Sequence, residues 1–265
     1  MLRMCLLKVG TGTYESAGLW LDSDPSKFQL IRVEGLNPPP GRLNWSNIAG
    51  HDGSVYKSGT TATRNIVITV SLTGTDAEAT RQQLYYYFTP ENNIWMKIIP
   101  NEGGQELEIR GYVDSVENSP FGNGQTIQAS IICPNPYFNA MLDAWVTAGE
   151  EFTNSESVPA GYVIQFQATE AMPNGVSFVF KVGQTETGRI TVSKALSAGD
   201  NVEVRHNFVT ADEVLVNDDR ALGFLPWDFE WPELEPGKTY TYEVEGFAGT
   251  SNNPNMSLRL YRAGV

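Results

Sequence analysis

The sequence predicts a mainly β protein, with an N-terminal α+β or open-barrel domain that contains one helix, followed by a C-terminal β-sandwich of jelly-roll type. Most of the chain alternates apolar and polar residues with a period of two, which is the pattern of half-buried antiparallel strands. Gly, Pro, Asn and Asp residues separate these alternating runs. The 265 residues are enough for two domains, since single domains usually contain about 100–200 residues.

The first half contains alternating runs that predict the strands of one small sheet. The segment from Met1 to Val9 is apolar, but no small-residue cleavage site follows it, so a first strand is favoured over a signal peptide. No run of about 20 apolar residues is present, which argues against a membrane span. Further strands are predicted at Phe28 to Leu36, Asn65 to Leu72, Ile94 to Ile99, Leu107 to Val116 and Gln125 to Cys133.

One segment of the first half has helical rather than strand spacing. Thr75 and Glu78 have the spacing of a capping box, with Thr75 as the N-cap, so we predict a helix from Thr75 to Phe88. The helix ends in the aromatic run Tyr85 to Phe88. We expect Phe88 and one tyrosine to pack under the sheet, and contact with another subunit is the alternative.

The second half has about eight short strands with turn residues between them, a number and spacing typical of a β-sandwich. The alternating segments are Val176 to Val182, Ile190 to Val192, Val202 to Val204, Val214 to Val216, Tyr240 to Val244 and Met256 to Leu260. Residues 158–265 have the size of an independently stable sandwich, so we expect this segment to fold alone.

A change of composition near residue 140 predicts the domain boundary. The proline-punctuated segment Cys133 to Phe138 ends a strand, and the residues from Met141 to Ser157 lack a clear period. Residues 1–140 contain 10 basic and 13 acidic residues and residues 141–265 contain 8 and 18, so the net charge changes from −3 to −10. We predict a first domain at 1–140, a linker at 141–157 and a second domain at 158–265.

Composition and motifs argue against catalysis and against a metal or cofactor site. The net charge of −13 argues against a nucleic-acid clamp, which needs an excess of Lys and Arg on one face. The two cysteines, Cys5 and Cys133, exclude a disulfide-stapled scaffold and are expected as reduced thiols. The sequence has two histidines and no GxSxG, HExxH, GxxxxGK(S/T) or CxxC motif. We therefore expect no enzymatic activity, no catalytic residues, no metal and no cofactor.

Three polar or aromatic segments allow more than one interpretation. Acid–base chemistry at His51 to Gly53 is an alternative to a hairpin turn, which is favoured because Asp-Gly is a turn signal. Calcium binding at Asn217 to Asp219 is an alternative to a simple hairpin tip. Trp227, Phe229 and Trp231 are candidates to stack on a saccharide or to contact a partner, and burial at the edge of the sandwich is favoured.

The order of several motifs resembles that of the distal tail proteins of long-tailed siphophages. In that pattern a Gly-Leu strand end leads into a proline-rich loop, a Gly-x-Asp-Gly hairpin and a strand that opens with Arg. The corresponding residues are Gly35 to Pro40, Gly50 to Gly53, Arg64 to Val70 and the strand exit Cys133 to Phe138. Gly199 to Val204 and Leu234 to Tyr240 are similar to parts of the galectin-like domain of that family, although Thr239 replaces an Asn of the pattern.

The resemblance implies a structural protein of the virion, made in the host cytoplasm and located at the tip of a phage tail. In this family the N-terminal domains form a homohexameric ring that joins the tail tube protein to the tail-associated fibre or lysin hub and lets DNA pass without specific binding. The galectin-like sandwiches project outward, where they carry receptor-binding proteins or bind saccharide. No membrane partner is implied. A carbohydrate-binding β-sandwich protein and a glycoside hydrolase stay open as alternatives, given the acidic second half and its tryptophans.

A cluster of acidic residues in the first half is the candidate lining of such a DNA channel. Between residues 97 and 117 only Lys97 and Arg110 oppose these acids. Negative charge repels DNA over about a Debye length, about 8 Å at physiological salt, and so leaves the DNA free to slide. A solvated outer face is the alternative. The candidates are Glu102, Glu106, Glu108, Asp114 and Glu117.

Overall fold

The computed structural model describes residues 2–8, 18–21, 27–73, 76–100, 105–118, 126–140, 145–206, 212–246 and 255–264. The chain divides into two compact units, the first made of residues 1–139 with 263–265 and the second of residues 140–262. Both units are mainly β, as the sequence predicts. Among these residues, no helix has the length and apolar character that a membrane crossing requires.

The first unit is built on one antiparallel sheet. The elements in this part of the chain are β1 (Arg3–Lys8), β2 (Leu19–Trp20), β3 (Phe28–Glu34), β4 (Gly41–Asn47), β5 (Ser54–Thr61), β6 (Arg64–Leu72), α1 (Ala77–Phe88), β7 (Asn93–Ile99), β8 (Leu107–Asn118), β9 (Thr126–Cys133) and β10 (Phe138–Ala140). Across the sheet, the described strands follow the order β2-β1-β7-β8-β9-β6-β3, and each neighbouring pair is antiparallel. β4 and β5 pair with each other as a hairpin.

Alternation along the central strands builds the core of the first unit. Ile66 and Ile68 of β6 are fully buried and lie opposite Ile131 and Ala129 of β9, which are buried as well. The same face continues through β8 until a bulge at Asp114 shifts the register against β9. A bulge adds one residue to one strand, so the alternation of β8 changes phase at this point.

The N-terminus of α1 differs from the predicted one. Thr75, predicted as the N-cap, lies outside the described residues, and the N-cap of the helix is Asp76. The Asp76 carboxylate accepts a hydrogen bond of 3.1 Å from the backbone N–H of Ala79. Glu78 is therefore the second helical residue, and it lies outside capping-box geometry because the box requires the third position. A one-residue shift of this kind follows from the capping strength of Asp, which equals or exceeds that of Thr.

The aromatic end of α1 packs against the sheet. Leu84, Tyr87 and Phe88 are buried, whereas Tyr86 is 52% exposed. The helix contacts β1, β6 and β8. The prediction that Phe88 and one tyrosine pack under the sheet is confirmed.

The β4–β5 hairpin has no counterpart among the predicted strands. All of its strand residues are exposed except the half-buried Ser46, so no period of two marks the hairpin in the sequence. Its turn contains Gly50 and Gly53, with φ angles of 77° and 93°. These angles are natural to glycine and strained for other residues. His51 and Asp52 lie in this turn, in agreement with the favoured interpretation.

The second unit consists of two sheets. Its strands are β11 (Trp145–Thr147), β12 (Phe152–Thr153), β13 (Gly161–Gln167), β14 (Val176–Val182), β15 (Thr185–Val192), β16 (Asn201–His206), β17 (Glu213–Val216), β18 (Asp219–Arg220), β19 (Thr239–Glu245) and β20 (Asn255–Arg262). In the described residues, one sheet has the order β18-β17-β16-β13-β20-β11 and the other the order β12-β19-β14-β15. Rings from the two sheets meet in the core. The ring centroids of Tyr162 and Phe180 are 5.1 Å apart, and those of Phe166 and Phe178 are 6.1 Å apart. The predicted β-sandwich is confirmed.

The segment predicted as a linker, residues 141–157, contributes to the fold of the second unit. β11 pairs with β20, and β12 pairs with β19. The buried Asn154 side chain donates hydrogen bonds of 2.8 Å to the carbonyls of both Val158 and Leu234. The Glu156 carboxylate accepts two hydrogen bonds, of 2.8 and 2.9 Å, from Arg262. The sequence conceals these contacts because strands of two or three residues are too short to show a period.

Candidate functional site

A buried arginine joins four segments of the first unit. Arg64 is 2% exposed, and its guanidinium donates hydrogen bonds to four backbone carbonyls. Nε donates to Pro136 at 2.6 Å, and Nη1 donates to Asn37 at 2.7 Å. The other two acceptors are the carbonyl oxygens of Gly35 and Ala263. One side chain thus satisfies backbone groups that lie far apart in the sequence.

The position of Arg64 fixes the base of the β4–β5 hairpin. The acceptors at Gly35 and Asn37 precede β4, while Arg64 directly follows the hairpin. Gly35 has a φ of 81°, and a Cβ at this residue would lie 2.0 Å from the carbonyl oxygen of Asn65, so only glycine fits. Burial lowers the pKa of Arg64, whose guanidinium carbon lies 4.4 Å from the centre of the Phe138 ring. Gly35, which begins the Gly-Leu motif, and Arg64, which opens its strand, are therefore joined directly by a hydrogen bond.

The β4–β5 hairpin exposes apolar side chains. Trp45 and Tyr56 lie opposite each other, with ring centroids 5.6 Å apart, and they are 53% and 54% exposed. The hairpin and its turn also expose Leu43, Ile48 and Val55. A two-stranded hairpin alone is marginally stable in water. Contiguous exposed apolar patches are typical of interaction surfaces.

Two of the five candidate channel acids lie close to one lysine. Lys97 is buried and forms an ion pair with Glu106. Glu108 is also buried, and it lies directly opposite Lys97 in the β7–β8 ladder. A carboxylate that is buried or paired contributes little to the potential that DNA meets in a channel. Glu106 and Glu108 are therefore weaker candidates than the sequence indicates.

Two further channel candidates, Asp114 and Glu117, lie on β8 away from Lys97. Glu102 lies outside the described residues. Asp114, at the bulge of β8, and Glu117 are both exposed. Asp114 lies six positions along β8 from Glu108, which corresponds to about 20 Å. Asp114 and Glu117 are thus the exposed pair that stays a candidate for a channel lining.

The three aromatic candidates of the second unit have different environments. Trp227 is 97% exposed, so the expectation of burial is wrong for this residue. The N–H of Phe229 donates to the carbonyl of Pro226 at 3.2 Å, and the β-turn that this bond closes points Trp227 away from the sandwich. Trp231 is half-buried and stacks on His206, with centroids 5.4 Å apart and an angle of 9° between the planes. Phe229, also half-buried, meets Trp231 edge-on at 4.9 Å.

An open groove of about 900 Å³ lies beside Trp231. Its lining combines rings with carboxylates, including Phe229, Tyr240, Glu230 and Glu233. Small-ligand sites in proteins combine apolar walls with a few polar groups in this way. The groove therefore gives the saccharide alternative a specific place in the second unit.

The Asn217 to Asp219 segment forms the tip of the β17–β18 hairpin. Asn217 and Asp218 have φ angles of 53° and 66°, which is the backbone of the two-residue turn favoured in hairpins. Among the described residues, no group of three or more His, Cys, Asp or Glu side chains is arranged to hold a metal ion. The favoured interpretation of this segment as a hairpin tip agrees with this backbone.

Comparison with known proteins finds a family model that matches most of the second unit. Residues 158–252 match the family described as siphovirus-type tail component, C-terminal domain. A search of curated proteins by sequence finds no match.

Solved structures share the fold of the whole chain. The Dit protein (gp 19.1) of phage SPP1, described as a paradigm of the hub adsorption apparatus in phages that infect Gram-positive bacteria, is similar with a TM-score of 0.71 and 13% identity, over 97% of this chain and 98% of that chain. A phage P2 baseplate in its activated conformation with Ca has a TM-score of 0.53, and one with Sr has 0.51, both with 8% identity over 100% of each chain. The resemblance to siphophage distal tail proteins is confirmed.

Proposed function

We propose that this chain, which has a siphovirus-type tail component C-terminal domain at residues 158–252 and the fold of a phage hub protein, is a structural component of the tail tip of a long-tailed phage. Its first unit forms a homohexameric ring that connects the tail tube to the tail-associated fibre or lysin hub. DNA passes through this ring without specific binding. The chain acts in the virion, and its role is structural rather than enzymatic.

The ring proposal rests on the exposed apolar side chains of the β4–β5 hairpin. Arg64 holds the base of the hairpin, while Trp45, Tyr56 and their apolar neighbours face solvent in a single chain. Full burial of a large apolar side chain contributes about 1.5–3 kcal/mol. A hairpin that lies on the next copy of the chain buries several of them at once. Contacts of this head-to-tail kind close into a ring when the rotation between copies allows it.

The edges of the first sheet support the same arrangement. In the described residues, β3 forms one edge of the sheet, and Ile31 on it is 54% exposed. Exposed strand edges are usually paired or covered because their free N–H and C=O groups invite another strand. In the proposed ring, a neighbouring copy of the chain packs against this edge.

The test is the oligomeric state of the full chain. Mass photometry and negative-stain electron microscopy should detect hexameric rings of the purified protein, alone or with the adjoining tail hub protein. The double variant Trp45→Asp/Tyr56→Asp should remain folded and lose the rings. Trp145→Asp, at a position that is 57% exposed in the second unit, is the matched control and should retain them. If the parent protein stays monomeric both alone and with the tail hub protein, the proposal is contradicted.

Saccharide binding by the second unit is a second candidate function, favoured by the groove beside Trp231. We expect Trp231→Ala to abolish binding of host cell-wall polysaccharide to the full chain in titration calorimetry. Trp145→Ala should leave that binding unchanged. Absence of binding by the parent protein would remove this candidate and would leave the ring proposal intact.

A further inference from the structure

The loop between β18 and β19 presents a fully exposed tryptophan. Trp227 is 97% exposed, and Leu222 and Phe224 on the same loop are each 43% exposed. Trp227 and Asp228 are the central residues of the turn that the Pro226–Phe229 hydrogen bond closes. A tryptophan in this position contributes nothing to the core of its own unit.

Contacts on both sides of Trp227 hold the loop in place. Before the turn, the N–H of Ser193 donates to the carbonyl of Phe224 at 3.0 Å, and the Lys194 ammonium lies 5.6 Å from the centre of the Phe224 ring. After the turn, Pro232 packs on Gly188 so closely that a Cβ there would lie 2.5 Å from the proline. A segment held in this way loses little conformational entropy on binding, which favours affinity.

The charge of the loop restricts its partner. No lysine or arginine occurs between Arg220 and Lys238. Four acids follow Trp227 in the same interval, and Lys238 pairs with only one of them, Glu235. The other three are Asp228, Glu230 and Glu233. Complementary charge steers association and excludes wrong partners, so the surface that receives Trp227 should be basic.

We propose that Trp227 and its turn are the anchor for a different protein of the phage particle, which receives the indole in an apolar pocket rimmed by Lys and Arg. This inference rests on the proposed function. The second unit of another copy fits poorly because residues 141–265 have a net charge of −10, whereas the proposed ring forms between the first units, where residues 1–140 have a net charge of only −3. A saccharide fits poorly because small-ligand sites are concave, whereas Trp227 protrudes. Buried tryptophans are among the commonest energetic centres of protein interfaces.

Photo-crosslinking in assembled particles tests the proposal. The cross-linking amino acid p-benzoylphenylalanine replaces Trp227 in one phage and the exposed Trp145 of the same unit in the control phage. Position 227 should cross-link, in a product absent from the control, to an apolar segment flanked by Lys or Arg on another tail protein. A product that joins two copies of this chain, a polysaccharide adduct, or no product at position 227 would overturn the inference.

Binding of the cross-linked partner, purified and titrated against the full chain, gives the quantitative test. Trp227→Ala should weaken binding about thirtyfold or more, as expected for a hot-spot tryptophan. Asp228→Lys/Glu230→Lys should also weaken it, and this loss should shrink as salt is raised. Glu151→Lys/Asp219→Lys makes the same charge change elsewhere in the second unit and should leave affinity unchanged. Equal affinity of the Trp227→Ala variant and the parent would overturn the inference.

Different results would contradict the proposed function and the inference about Trp227. Mass spectrometry of purified particles shows whether the chain is present in the virion. Its absence would overturn the proposed function and this inference together. Particles that contain the chain, form rings and show no specific product at position 227 would overturn the inference alone.

Discussion

Arg64 Nε donates a hydrogen bond of 2.6 Å to the carbonyl oxygen of Pro136, which lies 72 residues further along the chain. The same guanidinium reaches three more carbonyls, one of them at Ala263 near the end of the sequence. The first unit therefore gathers its strand ends and the returning C-terminal residues around one charged side chain. A buried charge is tolerated here because each of the three guanidinium nitrogens donates to at least one backbone carbonyl.

Replacement of Arg64 by methionine should destabilise the first unit by about 3–5 kcal/mol, because each buried carbonyl left without a donor costs about 1–3 kcal/mol. Lysine should recover only part of this loss, since an ammonium cannot reproduce the fork of the guanidinium. Urea unfolding followed by circular dichroism measures the change. Arg110→Met is the control: this exposed side chain donates one 2.8 Å bond to Asn93, so the variant should lose less than about 1 kcal/mol. Equal losses for the two variants would contradict the assigned role of Arg64.

The strands of the cores could be predicted because burial on one face imposes a period of two. Ile66, Ile68 and Val70 are all fully buried, and each was visible in the sequence as one phase of β6. Arg64 has the same phase, which was the available signal that this arginine points into the core. Its four acceptors could not be predicted, since they depend on contacts between segments distant in the chain.

Exposure on both faces explains why the β4–β5 hairpin could not be predicted from the sequence. The β4–β5 hairpin has no buried face in the single chain, so its apolar residues show no alternation. The environment of Trp227 depends on one β-turn. The positions of Trp227, Phe229 and Trp231 in the sequence do not show which of the three rings that turn exposes to solvent. β13 is also absent from the predicted strands, although its regular alternation at Tyr162, Ile164 and Phe166 is the kind of signal that marks a strand.

The boundary of the second unit predicts the behaviour of two fragments. Residues 145–262 contain β11, β12 and Asn154, whereas residues 158–265 lack them. The shorter fragment leaves the carbonyl of Leu234 without its Asn154 donor and Arg262 without Glu156. We therefore expect residues 145–262 to unfold cooperatively and at a higher urea concentration than residues 158–265.

A point variant separates the Asn154 contact from the effect of fragment length. Asn154→Ala within residues 145–262 should cost about 1–3 kcal/mol, because it removes the Asn154 donor from the Val158 carbonyl. The Leu234 carbonyl still accepts from the N–H of Ala160. Ser155→Ala changes an exposed neighbour and should be neutral within about 0.5 kcal/mol. Identical unfolding midpoints for the two fragments would show that the segment predicted as a linker contributes nothing to the sandwich.

The Cys133 thiol should be inert in the folded protein. Burial raises the pKa of Cys133 to about 12, and the nearby Arg64 opposes this shift only in part. At pH 9 about one thiol in a thousand is then ionised in the native state, whereas a thiol in the unfolded chain, with a pKa near 8.5, is mostly ionised. Iodoacetamide should therefore label Cys133 only after unfolding. Ser155→Cys supplies an exposed thiol as the positive control, and rapid labelling of native Cys133 would show that the thiol is accessible.

The same shift sets a pH dependence of stability. The pKa of Cys133 is higher in the folded than in the unfolded state, so its contribution to stability is fully present below about pH 8.5. It is lost as the pH rises from there towards 12, because the unfolded thiol ionises first. Urea midpoints of the parent should fall over this interval more steeply than those of Cys133→Ser. Parallel curves for the two proteins would mean that Cys133 does not titrate differently in the two states.

Asp114 and Glu117 are the exposed acids left from the predicted channel lining, and their charge predicts the behaviour of DNA at the ring. A lysine that faces the passage releases counterions from DNA and so favours binding, whereas an acid repels the phosphates within about 8 Å at physiological salt. Asp114→Lys/Glu117→Lys should therefore make the assembled protein retain double-stranded DNA in filter binding, with retention lost at high salt. Phage particles with this variant should transfer their genome to host cells more slowly. Glu151→Lys/Asp219→Lys, with the same total charge change in the second unit, should retain no DNA, and a first-unit variant that behaves like this control would place Asp114 and Glu117 outside the passage.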